Sequence, residues 1–271
     1  STIFMSFTRI QRGGLRNLIF LIFGGLCASA QSQRLDVLPG QRVLFNGDSI
    51  TKGYGFGNYT DPSPLRTIYG IAGILAKENL RNAPVFFRPE QVWAGRDADG
   101  NPKTIDSLAG ELQTWLRRGD ARTGDWMVYE DAGQVNQIVS PGPSPHLTDM
   151  YGRYRRNLRG MIEEADRSLG RNHILLMTMF EYDPRIPWCK WEVPLDDGKH
   201  SANDAIRDEA SELGVRVIDM RRIMDRAHQY VQAKGWGRMV GPDGIHPNIY
   251  GNAVMAFAIL GAMGADIGSW K

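Results

Sequence analysis

Arg42-Val-Leu-Phe-Asn-Gly-Asp-Ser-Ile-Thr51 is a short apolar run that ends on a glycine and turns into Asp-Ser. An apolar run of this length, bounded by a turn residue, suits a strand buried on both faces. Gly47 permits the tight turn that must follow. Outward from this stretch, strands and helices alternate along the chain. Val85–Phe87, Trp126–Tyr129, His173–Met179 and Val215–Ile218 are four further apolar runs of strand length. Between them, Ile68, Ile71, Ile74 and Leu75 have helical spacing within 67–80, and Ile105, Leu108, Leu112 and Leu116 form one stripe behind a capping Thr104. A helix over 149–168 carries Tyr151, Tyr154, Leu158, Met161, Ile162 and Ala165 on one side. Ser201-x-x-Asp204 opens a helix to Leu213 in the manner of a capping box. Helices over 220–234 and 248–263 complete the series, the last with Tyr250, Val254, Phe257 and Gly261 spaced to face inward. Five short strands separated by helices predict an α/β fold, a five-stranded parallel sheet with helices on both faces.

The first thirty residues do not belong to this pattern. Arg9, Arg12 and Arg16 precede an apolar run from Leu18 to Leu26, and Ala28-Ser29-Ala30 ends it with small residues. Positive start, short apolar middle and A-x-A end are the three parts of a secretory signal peptide, with cleavage expected after Ala30. The run is shorter than the roughly 20 residues a membrane-spanning helix needs, which disfavours a retained anchor. Leu26 is bulky where a lipoprotein signal would have a small residue before Cys27. Ser1 to Phe4 stand ahead of Met5 and read as extra to the signal. The expectation is therefore a signal peptide over 1–30, one domain over 31–271, and a secreted or periplasmic product without stable membrane insertion.

Composition narrows the function classes. The net charge of +2 falls to −1 once the three arginines of residues 1–30 leave, since that segment holds no acid. A near-neutral chain has no electrostatic footprint for nucleic acid. Arg153, Arg155, Arg156 and Arg159 cluster, but on a helical pattern where a solvated face accounts for them. With Cys27 removed, Cys189 stands alone, so no internal disulfide is possible and the core must supply the stability.

Chemistry concentrates in two places. In open α/β sheets ligands bind beyond the carboxyl ends of the strands, where Gly47-Asp48-Ser49-Ile50 lies. Taken alone, Gly-Asp-Ser is ordinary turn chemistry. The second place is Gly241-Pro-Asp-Gly-Ile-His-Pro247, just before the last helix. A serine needs a base within hydrogen-bond reach to act as nucleophile. His246 titrates in the right range, and Asp243, three residues earlier, can hold its tautomer. Asp-x-x-His by itself is a common surface turn; the two pieces together are far more specific.

These two blocks carry a family resemblance. Phe45-Asn-Gly-Asp-Ser-Ile-Thr51 resembles the first signature of the GDSL/SGNH hydrolases, and Asp243-Gly-Ile-His-Pro247 resembles their last, so the likeness spans roughly residues 41–265. The resemblance implies a three-layer, flavodoxin-like α/β/α sandwich and a Ser49–His246–Asp243 triad. It implies an oxyanion hole from the backbone N–H groups of Ser49 and a glycine, with an asparagine side chain. Gly95, in Val92-Trp-Ala-Gly95, is the candidate glycine. The asparagine block departs from the family: aligning Asp125 and Glu130 with its acidic positions puts Ala132 at a glycine and Gln134 at the asparagine, with Asn136 a rival donor. The nucleophile is not in a G-x-S-x-G elbow, which separates the chain from the ordinary α/β-hydrolases.

The resemblance implies an esterase without metal or organic cofactor. Its substrates are expected to be carbohydrate O-acetyl or other short-chain esters, small or polymeric. Lipid esters, acetyl transfer between sugars, and polysaccharide binding without turnover are the alternatives. Asp97-x-Asp99-x-Asn101 begins like a calcium loop, but Pro102 and Leu108 stand where that loop needs glycine and glutamate. His146, His173, His200 and His228 show no ligand spacing. Asp48 is expected to shape its turn, and Trp93, Trp188 and Trp191 are the tryptophans best placed to meet a sugar; the last two fall in the proline-rich stretch 181–200.

Overall fold

The computed structural model describes residues 41–47, 49–52, 68, 70–73, 86–87, 93–94, 123–130, 149–180, 192 and 194–265. Its centre is a parallel sheet whose first strand, β1 (Arg42–Gly47), is buried at every position. After β1 comes a short helix, α1 (Ser49–Lys52), and residues 68 and 70–73 are also helical. β2 (Phe86–Phe87) and β3 (Trp93–Ala94) both pair with β1, at its beginning and its end respectively. β4 (Trp126–Tyr129) takes the other side of β1. Six strand segments thus fill five positions, in the order β2-β1-β4-β5-β6, with β3 beside β1. The expected five-stranded sheet is present; its edge position beside β1 holds two short strands where the sequence suggested only one.

The remaining elements alternate as expected. They are α2 (Met150–Leu169), β5 (Ile174–Met177), α3 (Ala202–Leu213), β6 (Arg216–Ile218), α4 (Met220–Ala233) and α5 (Ile249–Ala262). His173 does not begin β5: it closes a 3-10 turn, Arg171–His173, with its Nδ1 2.9 Å from the Leu169 carbonyl. The crossovers from β4 to β5 to β6 step in one direction, so right-handed connection puts α2 and α3 on the same face. Those two helices pack together, and α4 packs on α5. The result is three layers, helix, sheet and helix.

Register is pinned at the amino edge. The Arg42 backbone N–H donates to Asp125 Oδ1 at 3.0 Å and its Nε to Oδ2 at 2.7 Å. Both residues are buried, so the pair excludes a slipped pairing that would leave either charge uncompensated. Beside it, Trp126 Nε1 donates to Gln41 Oε1 at 2.9 Å, which satisfies the indole of a fully buried ring.

Two surface expectations change. The arginines of α2 are not simply solvated, because Arg155 Nε lies 2.5 Å from Glu209 of α3 and Arg159 is 3.0 Å from the same carboxylate. Both also pair with Glu212. Arg155 and Arg159 thus form an inter-helix ion network, a pairing 54 residues distant in sequence that helical spacing could not show, while Arg156 is exposed and pairs with Asp149. Nor does α5 bury a single stripe: every residue from Gly251 to Leu260 is buried. A helix apolar all round needs neighbours all round, so α5 sits inside its layer rather than on its rim. Ser201 and Asp204 form the expected capping box of α3.

Candidate active site

The chain leaves β1 at Gly47 and enters α1 at Ser49, at the carboxyl edge of the sheet. This is the point between β1 and β4 where strand order reverses, which opens a crevice in doubly wound sheets. A Cβ on Gly47 would lie 1.9 Å from Thr51 Oγ1 and 2.5 Å from the Glu130 carbonyl oxygen. No side chain fits there, so glycine is needed for close approach. Thr51 passes across this gap and donates its hydroxyl to the Glu130 carboxylate. The Glu130 backbone N–H in turn donates to the Asn46 carbonyl at 2.8 Å. Asn46, Thr51 and Glu130 are all buried.

The second half of the site is a loop closed on itself. Gly241 N–H donates to the His246 carbonyl at 2.8 Å, Gly244 N–H to the Gly241 carbonyl at 3.0 Å, and Val240 bridges Pro247. Gly244 has φ 73°, a left-handed conformation that glycine adopts without strain. Within this turn Asp243 Oδ1 accepts from the N–H groups of Ile245 at 3.0 Å and His246 at 3.1 Å. Its Oδ2 lies 2.7 Å from His246 Nδ1. A carboxylate only accepts, so the Nδ1 carries the proton and Nε2 is the basic nitrogen. Burial would raise the Asp243 carboxyl, but the hydrogen bond from the His246 ring and those from the two N–H groups outweigh it and hold it below its ordinary 3.8. Asp243 is therefore an anion at neutral pH, as the orienting partner of a histidine base must be.

Helix α5 fixes that loop from below. Asn248 caps it, accepting from Tyr250 N–H at 3.0 Å and Gly251 N–H at 3.2 Å, while its own amide donates to the Arg238 carbonyl at 2.6 Å. Asn252 donates to the Pro247 carbonyl at 2.9 Å. A Cβ on Gly251 would stand 2.4 Å from the Met239 carbonyl oxygen and 2.8 Å from Pro247 Cβ, so the helix backbone rests directly on the loop.

The orientation of α5 tells which edge of the sheet the loop occupies. Arg216, at the start of β6, donates to the carbonyl of Ala262, the last residue of α5, at 2.8 Å. The end of α5 is therefore at the amino edge. Its 14 residues rise about 21 Å, which carries its first turn and the preceding loop to the carboxyl edge. Asp243 and His246 are thus hydrogen-bonded to each other at the edge where Ser49 opens α1. Gly95, which follows β3 in sequence, lies outside the described residues, as do Asp48, Gln134, Asn136, Trp188 and Trp191.

A second Asp-x-x-His turn went unnoticed in the sequence. Asp197 accepts from Lys199 N–H at 2.8 Å and His200 N–H at 2.9 Å, and its Oδ2 lies 2.6 Å from His200 Nδ1. The local geometry matches that of Asp243 and His246, but the setting differs. The His200 side chain is 44% exposed against 13% for His246, and its ring stacks on Tyr151 of α2 at 4.4 Å. The motif makes the same dyad in both turns; exposure and the Tyr151 stack distinguish the second from the first. Among the described residues no group of three or more His, Cys, Asp or Glu gathers as metal ligands would, and no helix is long and apolar enough to cross a membrane.

No protein-family model matches the chain, and no curated relative matches it. Solved structures share its fold. An acetylxylan esterase of Geobacillus stearothermophilus superimposes with a TM-score of 0.55 at 16% identity, covering 85% of this chain and 97% of its own. Catalytic mutants of that esterase replace a serine, an aspartate and a histidine, the last two three positions apart. An alpha/beta hydrolase from the metagenome of Lake Arreo, Spain, gives a TM-score of 0.55 at 17% identity, covering 84% of this chain and 96% of its own. At this identity the likeness is one of fold.

Proposed function

We propose that this chain is an exported serine esterase in which Ser49 is the nucleophile, His246 the base and Asp243 its orienting partner. The observation that carries the reading is the part-buried Asp243–His246 hydrogen bond at the carboxyl edge where β1 delivers Ser49. The fold neighbour's catalytic mutants lend support, since an aspartate and a histidine three apart recur there with a serine.

In this reading Ser49 Oγ attacks an ester carbonyl while His246 Nε2 takes its proton. The developing oxyanion is stabilised by the N–H groups of Ser49 and Gly95 and by the amide of Gln134 or Asn136. The C–O bond to the alcohol then breaks as His246 returns the proton to the leaving oxygen. Water, deprotonated by the same imidazole, attacks the acyl-enzyme and releases the acid. The chemistry requires no cofactor. Carbohydrate O-acetyl groups are the proposed substrates: the signal-like residues 1–30 favour an extracytoplasmic ester, and one fold neighbour is an acetylxylan esterase.

The test is hydrolysis of p-nitrophenyl acetate, butyrate and octanoate, and of acetylated xylo-oligosaccharide, beside Ser49→Ala. The expected result is Ser49-dependent turnover that falls with chain length. Rates that survive in Ser49→Ala remove the assignment. Preference for octanoate replaces the sugar ester with a lipid one, and acetyl passing to added sugar instead of water makes the enzyme a transferase.

A further inference from the structure

We propose that Thr51 and Glu130 are positioning residues for the nucleophile, a role that rests on the reading of Ser49 just given. The described part of α1, Ser49–Lys52, is a single helical turn, and one turn takes its orientation from what ties it to the sheet. Among the described residues, Ile50 is buried in the core and α1 packs against β1 and β3. Thr51 adds a directional tie, its hydroxyl donated to the Glu130 carboxylate across the gap that Gly47 leaves open.

Glu130 is well suited to anchor that tie. It directly follows β4, its N–H is held by the Asn46 carbonyl, and it is 1% exposed. A hydrogen bond to a carboxylate is stronger and more tightly oriented than one between neutral groups, and in a buried setting water does not compete for it. Because Ser49 and Thr51 share one helical turn, fixing Thr51 against β4 fixes the rotation of α1 about its own axis. That rotation sets where Ser49 stands over the switch point. Glu130 also begins the segment that leads to Gln134 and Asn136, so the same bond links the nucleophile turn to the start of the candidate oxyanion loop. Neither residue touches substrate in this account; both act through Ser49.

The experiment compares Thr51→Val, Thr51→Ser and Glu130→Gln with the wild type and Ser49→Ala on p-nitrophenyl acetate. Each rate except that of Ser49→Ala, which is taken per mole of protein, is divided by the Ser49 sites titrated with a fluorophosphonate, so misfolded protein is not counted. Thr51→Val keeps the volume but loses the donor, and misplacement of this kind costs on the order of 10²-fold in kcat. KM is expected to stay within about threefold, since the substrate pocket is untouched. Thr51→Ser restores the donor and is expected to recover kcat to within about fivefold of wild type. Glu130→Gln keeps an acceptor but loses the charge, with an expected fall of roughly tenfold in kcat at unchanged KM. If Thr51→Val yields no titratable protein, Glu130→Gln and Thr51→Ser decide. Wild-type kcat per site in Thr51→Val or Glu130→Gln, or failure of Thr51→Ser to rescue, overturns the proposal. Wild-type activity that does not depend on Ser49 overturns the reading beneath it instead.

Discussion

Replacing Asp243 by asparagine tests the base more sharply than deleting it, because the amide must choose between two bad orientations. With its oxygen at the Oδ1 position, asparagine still accepts from Ile245 and His246 N–H, now at 3.0 and 3.1 Å. Its NH₂ then faces His246 Nδ1 at the 2.7 Å contact, where only an acceptor nitrogen is tolerated. Flipped, the oxygen keeps Nδ1–H, but the NH₂ confronts two backbone donors and leaves both unsatisfied. A fully buried unsatisfied donor costs about 1–3 kcal/mol; these two are part-buried, so the flip loses on the order of 1–3 kcal/mol in all. Shifting the imidazole proton from Nδ1 to Nε2 costs less, so the first orientation prevails. His246 then presents a protonated Nε2 to the nucleophile and cannot act as base. The same substitution in a serine protease lowers kcat by about 10⁴, and a fall of 10³–10⁴ is expected here. That corresponds to about 4–5.5 kcal/mol of barrier. The assay is kcat and KM on p-nitrophenyl acetate per titrated site, with the thermal midpoint measured alongside. A variant that is folded, titratable and within tenfold of wild-type kcat would show that Asp243 does not set the tautomer, and the triad assignment would go with it.

Three further outcomes follow from the same geometry. Gly251→Ala puts a Cβ 2.4 Å from the Met239 carbonyl, so the loop bearing His246 must shift; kcat should fall at least tenfold while overpacking costs about 1–3 kcal/mol in a denaturant titration, and an unchanged kcat would mean α5 does not position the loop. His200→Ala should leave kcat within twofold whereas His246→Ala lowers it at least 10³-fold; the reverse ranking would reassign the dyad to Asp197 and His200. Burial, assisted by Arg238 and opposed by Asp225, holds His228 below its ordinary 6.5. The unfolded chain therefore takes up that proton first, and stability present above 6.5 is lost as pH falls through the folded value. His228→Gln should flatten the decline in thermal midpoint between about pH 7 and 5, and a slope equal to wild type would place the effect elsewhere.

What the sequence made legible was local in origin. The β1 run with its glycine, the Ser201-x-x-Asp204 cap and the Asp243-x-x-His246 turn each depend on residues a few positions apart, so their spacing is enough to read them. The pairings that tie the site together are not local. Thr51 meets Glu130 across 79 residues, and nothing in either segment alone names the other. Arg155 and Arg159 looked solvated because helical spacing reports which face they share, not which helix lies opposite. The edge strand was half missed because Trp93–Ala94 is two residues long, below any period a pattern can reveal. The Asp197 turn shows the converse weakness: one local motif forms its full hydrogen-bond geometry in two settings, and spacing alone does not tell them apart.

Two glycines mark where local and distant structure meet. At Gly47 the missing side chain lets the Thr51 hydroxyl reach the end of β4; at Gly251 it lets a buried helix seat against the His246 loop. In sequence the first read as a turn residue and the second, within the last helix, drew no notice. Glycine inside a helix costs about 1 kcal/mol relative to alanine, so its presence in the first turn of α5 needs a return. The return is distance: with no Cβ at either point, a helix approaches the His246 loop or the ends of β1 and β4 more closely than any other residue allows. Both halves of the candidate site therefore depend on close backbone approach as well as on the side-chain bonds that tie them. This is why a single added methyl at Gly251 is expected to cost more in catalysis than its volume would suggest.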